Sequence, residues 1–111
     1  GYFKGTDPNV AIKILQEKWV YNTPVVYIGK AGGKKNKTTL RSRILQYLKF
    51  GQGKPVGHKG GRYIWQLNDS EELLFCWKPL PTDEPEDVES MLISEFKHQY
   101  AGKRPFANLN K

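Results

Sequence analysis

The chain has little with which to staple itself or ligate a zinc ion. Of its 111 residues only one is cysteine, Cys76, and two are histidine, His58 and His98. An internal disulfide is excluded, and so are zinc fingers and ribbons, whose ligand sets are larger than this. No apolar run approaches the roughly 18 residues of a membrane span, and the first residues carry no signal-peptide pattern. The expectation is an intracellular, cytoplasmic domain with no membrane partner.

A second absence says more. Between Lys18 and Asn68 there is no Asp or Glu, while eleven Lys or Arg fall in the same 51 residues. The rest holds seven basic and eleven acidic residues, so the net charge of +7 is segregated into a basic middle and an acidic C-terminal third. Such a field attracts polyanions, because cations that neutralise phosphates gain affinity through counterion release. Nucleic acid is the expected partner. Three Trp, six Tyr and five Phe are too many rings for a disordered chain. At this length a single domain over residues 1–111 is expected.

Punctuating residues divide the chain. Thr6-Asp7-Pro8 reads as a helix start, with Asp7 as the cap and Pro8 at the first helical position. Ile12, Leu15 and Trp19 follow at helical spacing, and Asn22-Thr23-Pro24 ends the run. Pro24–Gly29 is β-rich, and a basic loop, Gly32–Lys37, succeeds it. Thr38 or Thr39 can cap a helix over about Leu40–Phe50, which Gly51 and Gly53 terminate. A second glycine-rich basic loop, Gly51–Gly61, leads to Arg62–Leu67. This run pairs as a hairpin with Leu73–Trp77 across the turn at Asn68-Asp69-Ser70. Carboxylates at 83–87 suit a helix N-terminus, and that last helix extends to about His98 before a non-helical tail.

On a helical wheel of about 100° per residue, Leu40, Ile44 and Leu48 form the core-facing stripe of the first long helix. Arg43 and Tyr47 share one shoulder of it, with Phe50 alongside, Arg41 lies on the other, and Gln46 faces solvent. In the last helix Val88, Leu92 and Phe96 form the apolar centre, widened by Met91 and Ile93. Glu89 falls inside the apolar arc and Glu95 on its opposite shoulder, and periodicity does not choose between them. A carboxylate in such a place needs a cationic partner or a metal, since burying a charge alone is costly. Glu84, Glu86 and Asp87 read as a solvated helix start. On its strand Tyr27 shares a face with Gly29, which leaves room beside the ring. The stretch Gly57-His58-Lys59-Gly60-Gly61-Arg62 offers backbone N–H groups to a phosphate, without P-loop spacing. Cys76 alternates with aromatics and is expected in the core.

Four segments in order carry a family likeness: Tyr27-Ile28-Gly29, Leu40-Arg41-Ser42-Arg43-Ile44, Glu89-Ser90-Met91-Leu92-Ile93 and Pro105-Phe106-Ala107-Asn108. Together they resemble the GIY-YIG endonuclease domain, over about Val25 to Asn108. The resemblance implies an α+β fold, a small antiparallel β-sheet flanked by α-helices. It implies an endonuclease that hydrolyses DNA phosphodiester bonds with a bound Mg2+ or Mn2+. It makes Arg43, rather than Arg41, the family arginine, and Glu89, rather than Glu95, the metal ligand. Tyr47 matches the place of a His or Tyr, Asn108 the C-terminal asparagine, and Lys30 a lysine close to the catalytic tyrosine. Tyr27 and Tyr47, helped by Lys30, would position or deprotonate the attacking water. Lys34, Lys35, Lys37, Arg41, His58, Lys59, Arg62 and Asn108 would contact the nucleic acid. The family's first motif, Gly-x-Tyr, has one candidate, Gly1-Tyr2-Phe3, with its tyrosine one place early. Either that strand precedes residue 1 or the chain is a divergent member. The alternative reading is a non-catalytic nucleic-acid-binding module on the same fold.

Overall fold

Thr39 opens the first long helix through a reciprocal cap. Its hydroxyl accepts from the Ser42 N–H at 3.0 Å, and its own N–H donates to the Ser42 hydroxyl at 2.9 Å. The structure is a computed structural model, and it describes residues 9–54 and 56–110. The helix start read at Thr6-Asp7-Pro8 and the candidate motif Gly1-Tyr2-Phe3 lie outside those residues. Four α-helices are described: α1 (Ile12–Lys18), α2 (Leu40–Gly51), α3 (Lys59–Ile64) and α4 (Pro85–Gln99). A short 3-10 turn, Ser70–Glu72, lies between α3 and α4. None of these helices is long and apolar enough to cross a membrane.

The expected α+β fold is not what forms: among the described residues there is no β-strand, and the architecture is helical with extended connections. Arg62–Leu67, read as a strand, instead belongs to α3 and the turn after it. His58 caps this helix, its Nδ1 accepting the Gly61 N–H at 2.7 Å. A strand would send Tyr63 and Ile64 to opposite faces, whereas the helical turn lets both bury. Its hairpin partner, Leu73–Trp77, is therefore extended without a ladder. Leu74 is 92% exposed and Trp77 66%, and Cys76 is exposed rather than in the core.

The Pro24–Gly29 run forms no regular element and is held by the C-terminal tail instead of a sheet. Ala107 N–H donates to the Val26 carbonyl at 2.8 Å. One position on, the Asn108 side chain bonds both backbone groups of Ile28. The tail from Pro105 to Asn108 is wholly buried, and its Phe106 and Ala107 pack with Tyr47, Tyr63 and Ile64 as the core. Trp19 closes over it, edge-on to Phe106 at 5.2 Å.

Both long helices are rotated from the stripes that leucine spacing suggests. In α2 the buried residues are Tyr47 and Phe50, while Leu40 and Leu48 remain 45% and 37% exposed. In α4 they are Ile93 and Phe96, with Leu92 41% exposed. Aromatic rings bury more area than leucines, so α2 turns its ring-bearing side inward. The rotation has a consequence for charge. Arg43 precedes Tyr47 and Phe50 at i, i+4, i+7, and Glu89 precedes Ile93 and Phe96 in the same way. Each helix thus carries a charged residue at the head of its buried line, and both are half-buried.

Candidate functional site

Tyr27, Arg43 and Glu89 meet in one cleft of about 510 Å³, bordered by Lys30 and Lys59. The Pro24–Gly29 segment brings Tyr27, α2 brings Arg43, and α4 brings Glu89. Gln46, one turn beyond Arg43, accepts a hydrogen bond from its Nη1 at 3.3 Å. The same Gln46 donates its Nε2 to the Gly57 carbonyl. It therefore ties the guanidinium, α2 and the approach to α3 together, and it is half-buried rather than solvent-facing. A smaller cavity of about 190 Å³ adjoins the cleft and contains Tyr47 in its wall. Tyr27, Lys30, Arg43 and His58 line both cavities.

The electrostatics follow from burial. The Tyr27 phenol is raised above its ordinary value, first by burial. Arg43 opposes the shift by its charge and as a hydrogen-bond donor, and the Glu89 carboxylate adds to it. Burial pushes Tyr47 up to about 12. His58 is lowered to about 4, by burial first and then by the Arg43 charge. At neutral pH both phenols are protonated and the imidazole is neutral.

The other sequence-derived candidates are placed differently. Lys34, Lys35, Lys37 and Arg41 are exposed and outside the cleft wall. The backbone N–H of Lys34 donates to the Glu84 carboxylate, at 3.3 and 3.2 Å to its two oxygens, which pins the basic loop to the start of α4. Lys30 and Lys59 border the cleft, whereas Arg62 is half-buried on α3 and does not line it. His58 and Asn108 are in the cleft wall but buried, with side-chain atoms engaged by the protein itself. Tyr47 is buried among rings: stacked on Trp65 at 5.0 Å, and edge-on to His58 and Phe75 at 5.4 and 5.5 Å.

Glu86 and Gln46 line the cleft and were not among the sequence candidates. Glu86 lines it together with Glu89. The signal was present, because positions three apart on a helix share a face. Gln46 stands in the same relation to Arg43. Burial also separates the two carboxylates that periodicity left open, since Glu89 is half-buried in the cleft and Glu95 is exposed.

Among the described residues no three His, Cys, Asp or Glu side chains gather as a ligand group, so a closed protein cage of the zinc type is not built. Glu86 and Glu89, which line the same cleft, are the carboxylates that could hold a cation there.

No family model, curated protein or solved structure matches this chain.

Proposed function

We propose that the cleft binds a DNA phosphodiester and hydrolyses it in the manner of a GIY-YIG endonuclease, with Mg2+ or Mn2+. The observation that carries this reading is the meeting of Tyr27, Arg43 and Glu89 in one lysine-bordered cleft. In α2 and α4 the inward rotation that buries aromatic and aliphatic side chains also brings a charge into that cleft. A mere core would be better served by an apolar residue at either position.

In this reading Arg43 holds the non-bridging phosphate oxygens as negative charge grows on them. Gln46 keeps its guanidinium in place. Tyr27, protonated at neutral pH, orients the attacking water through its hydroxyl rather than removing its proton. Lys30 contributes positive charge beside it. Glu89, joined by Glu86, would hold the divalent ion, whose chemistry is to polarise the phosphate and stabilise the leaving oxygen. The exposed Lys34, Lys35, Lys37 and Arg41 grip the backbone on either side.

The test is a nicking assay on supercoiled plasmid, with Mg2+ and with EDTA, and with RNA as a second substrate. Expected is Mg2+-dependent nicking that Glu89→Gln and Arg43→Ala abolish while DNA binding is largely kept. DNA binding by a folded protein without metal-dependent nicking would instead assign a non-catalytic binding module.

A further inference from the structure

We propose that the turn from His58 to Gly61 is a seat for the two site tyrosines, with His58 a positioning residue that sets both rings. Its catalytic meaning rests on the phosphodiester reading, while the packing itself does not.

Gly60 and Gly61 sit in the first turn of α3, where glycine is about 1 kcal/mol less favourable than alanine. Neither has a positive φ, so backbone conformation does not require them. Space does. A Cβ on Gly60 would fall 2.6 Å from Tyr27 Cε1 and 2.9 Å from its Cδ1. A Cβ on Gly29 would fall 2.5 Å from Cε2 of the same ring and 3.0 Å from its hydroxyl oxygen. The Tyr27 ring thus occupies a slot between two glycines, and neither edge has slack. On Gly61 a Cβ would come 3.2 Å from Tyr47 Cδ2.

His58 joins the two halves of the seat. Its ring lies 6.0 Å from that of Tyr27 and 5.4 Å from that of Tyr47, centroid to centroid. Its Nδ1 is fixed by the Gly61 N–H at 2.7 Å, so the imidazole cannot turn without uncapping α3. That bond also uses the amide that a phosphate would need, and the turn organises side chains instead of an anion. The Tyr27 hydroxyl is at the far end of its ring, so a small tilt displaces it from Arg43 and Glu89. Misplacement of a reacting group by about an ångström can cost about 100-fold in rate.

Two variants test the seat, each checked for folding by thermal melt. Gly60→Ala intrudes on the Tyr27 edge. His58→Asn keeps a capping acceptor for Gly61 but removes the ring between the tyrosines. Nicking kinetics are read alongside the titration of 13Cζ-labelled tyrosines, assigned with Tyr27→Phe and Tyr47→Phe. For Gly60→Ala we expect kcat to fall about 100-fold with KM for DNA within about twofold, and for His58→Asn about 10-fold. In both, the Tyr27 phenol should titrate at a pH different from that in the parent, because its burial and its distance from Arg43 both change. Wild-type kcat and tyrosine titration in folded variants would overturn the seat. So would a change confined to KM, which would make His58 a DNA contact. If Gly60→Ala does not fold, His58→Asn decides alone. A parent protein that never nicks, but whose Tyr27 titration still shifts in the variants, would refute the nuclease reading and leave the seat standing.

Discussion

The side-chain amide of Asn108 is matched to the backbone of Ile28, accepting its N–H at 2.9 Å and donating to its carbonyl at 2.7 Å. One buried side chain near the C-terminus thereby supplies the pairing that a neighbouring strand would give to the Tyr27 segment. Its role in the cleft is to clamp that segment, since both polar ends are already used. Asn108→Ala leaves both Ile28 groups unpaired and should cost about 2–3 kcal/mol. Asn108→Asp restores only the acceptor and should recover less than half of the loss. Urea unfolding measures both; a cost under about 0.5 kcal/mol for the alanine variant would remove the clamp from the account.

Binding to duplex DNA should be weak and steeply dependent on salt. If the four exposed cations Lys34, Lys35, Lys37 and Arg41 each neutralise a phosphate, log K falls with log salt at a slope of about −3.6. Affinity would drop about 100-fold between roughly 50 and 200 mM salt. A fluorescence-anisotropy titration across that range decides it. Affinity insensitive to salt would rule out phosphate contact as its source.

Glu86 and Glu89 line the cleft while Glu95 does not. Glu86→Gln should raise the Mg2+ concentration needed for half-maximal nicking about 10-fold, by weakening one of two carboxylates near the ion. Glu95→Gln should leave nicking unchanged. The reverse pattern, with Glu95 essential and Glu89 dispensable, would mean that the carboxylates have been assigned the wrong way round.

His58 gives the fold a pH dependence of known sign. Its value of about 4 in the folded chain is below the ordinary 6.5, so the unfolded chain binds more protons between these limits. The stabilisation is complete above about 6.5 and is lost as pH falls towards about 4. The groups facing the ring reinforce this, since Arg43 is cationic and Tyr27 and Tyr47 are neutral there. The loss should be on the order of 1–2 kcal/mol, less than the whole shift implies because the ring borders an open cleft. Melting temperatures from pH 7 to 4 should fall more steeply for the parent than for His58→Asn. Parallel curves would exclude His58 as the group responsible.

Ala101 follows α4 with φ 55°, a left-handed conformation that costs a residue with a Cβ about 1–2 kcal/mol. Gly102, at φ 82°, continues the reversal, and its N–H closes the helix on the Lys97 carbonyl at 2.7 Å. Ala101→Gly should therefore stabilise the protein by about 0.5–1 kcal/mol after the extra entropy of the unfolded glycine. A lower melting temperature for the variant would contradict the strain.

Local chemistry was legible wherever one short segment decides its own structure. Thr39 before α2, Gly51 and Gly53 at its end, and the carboxylates around the start of α4 mark helix ends through capping and dipole effects that need no distant partner. The acid-free stretch likewise belongs to the sequence alone, because charge does not depend on folding. What failed were inferences that need a partner. Arg62–Leu67 has the residues of a strand, but the His58 cap and the burial of both Tyr63 and Ile64 make it helical. With that half gone, Leu73–Trp77 has no hairpin to join, and Cys76 is left outside.

The sequence by itself determined the ends of α2 and α4, the basic middle and the residue types available to the cleft. Only tertiary structure decided which of them meet. Leucine spacing set the centre of the buried face to one side of where it lies, most clearly in α2, because a wheel counts apolar positions without knowing which bulky rings the core must accept. The rotation that buries Tyr47 and Phe50, and in α4 Ile93 and Phe96, carries Arg43 and Glu89 inward with them. The tail from Pro105 to Asn108 has no periodicity to reveal that it is core, yet it is buried throughout and holds Ile28 beside Tyr27. Such contacts are made between residues far apart in the chain, and their geometry exists only once the chain has closed on itself.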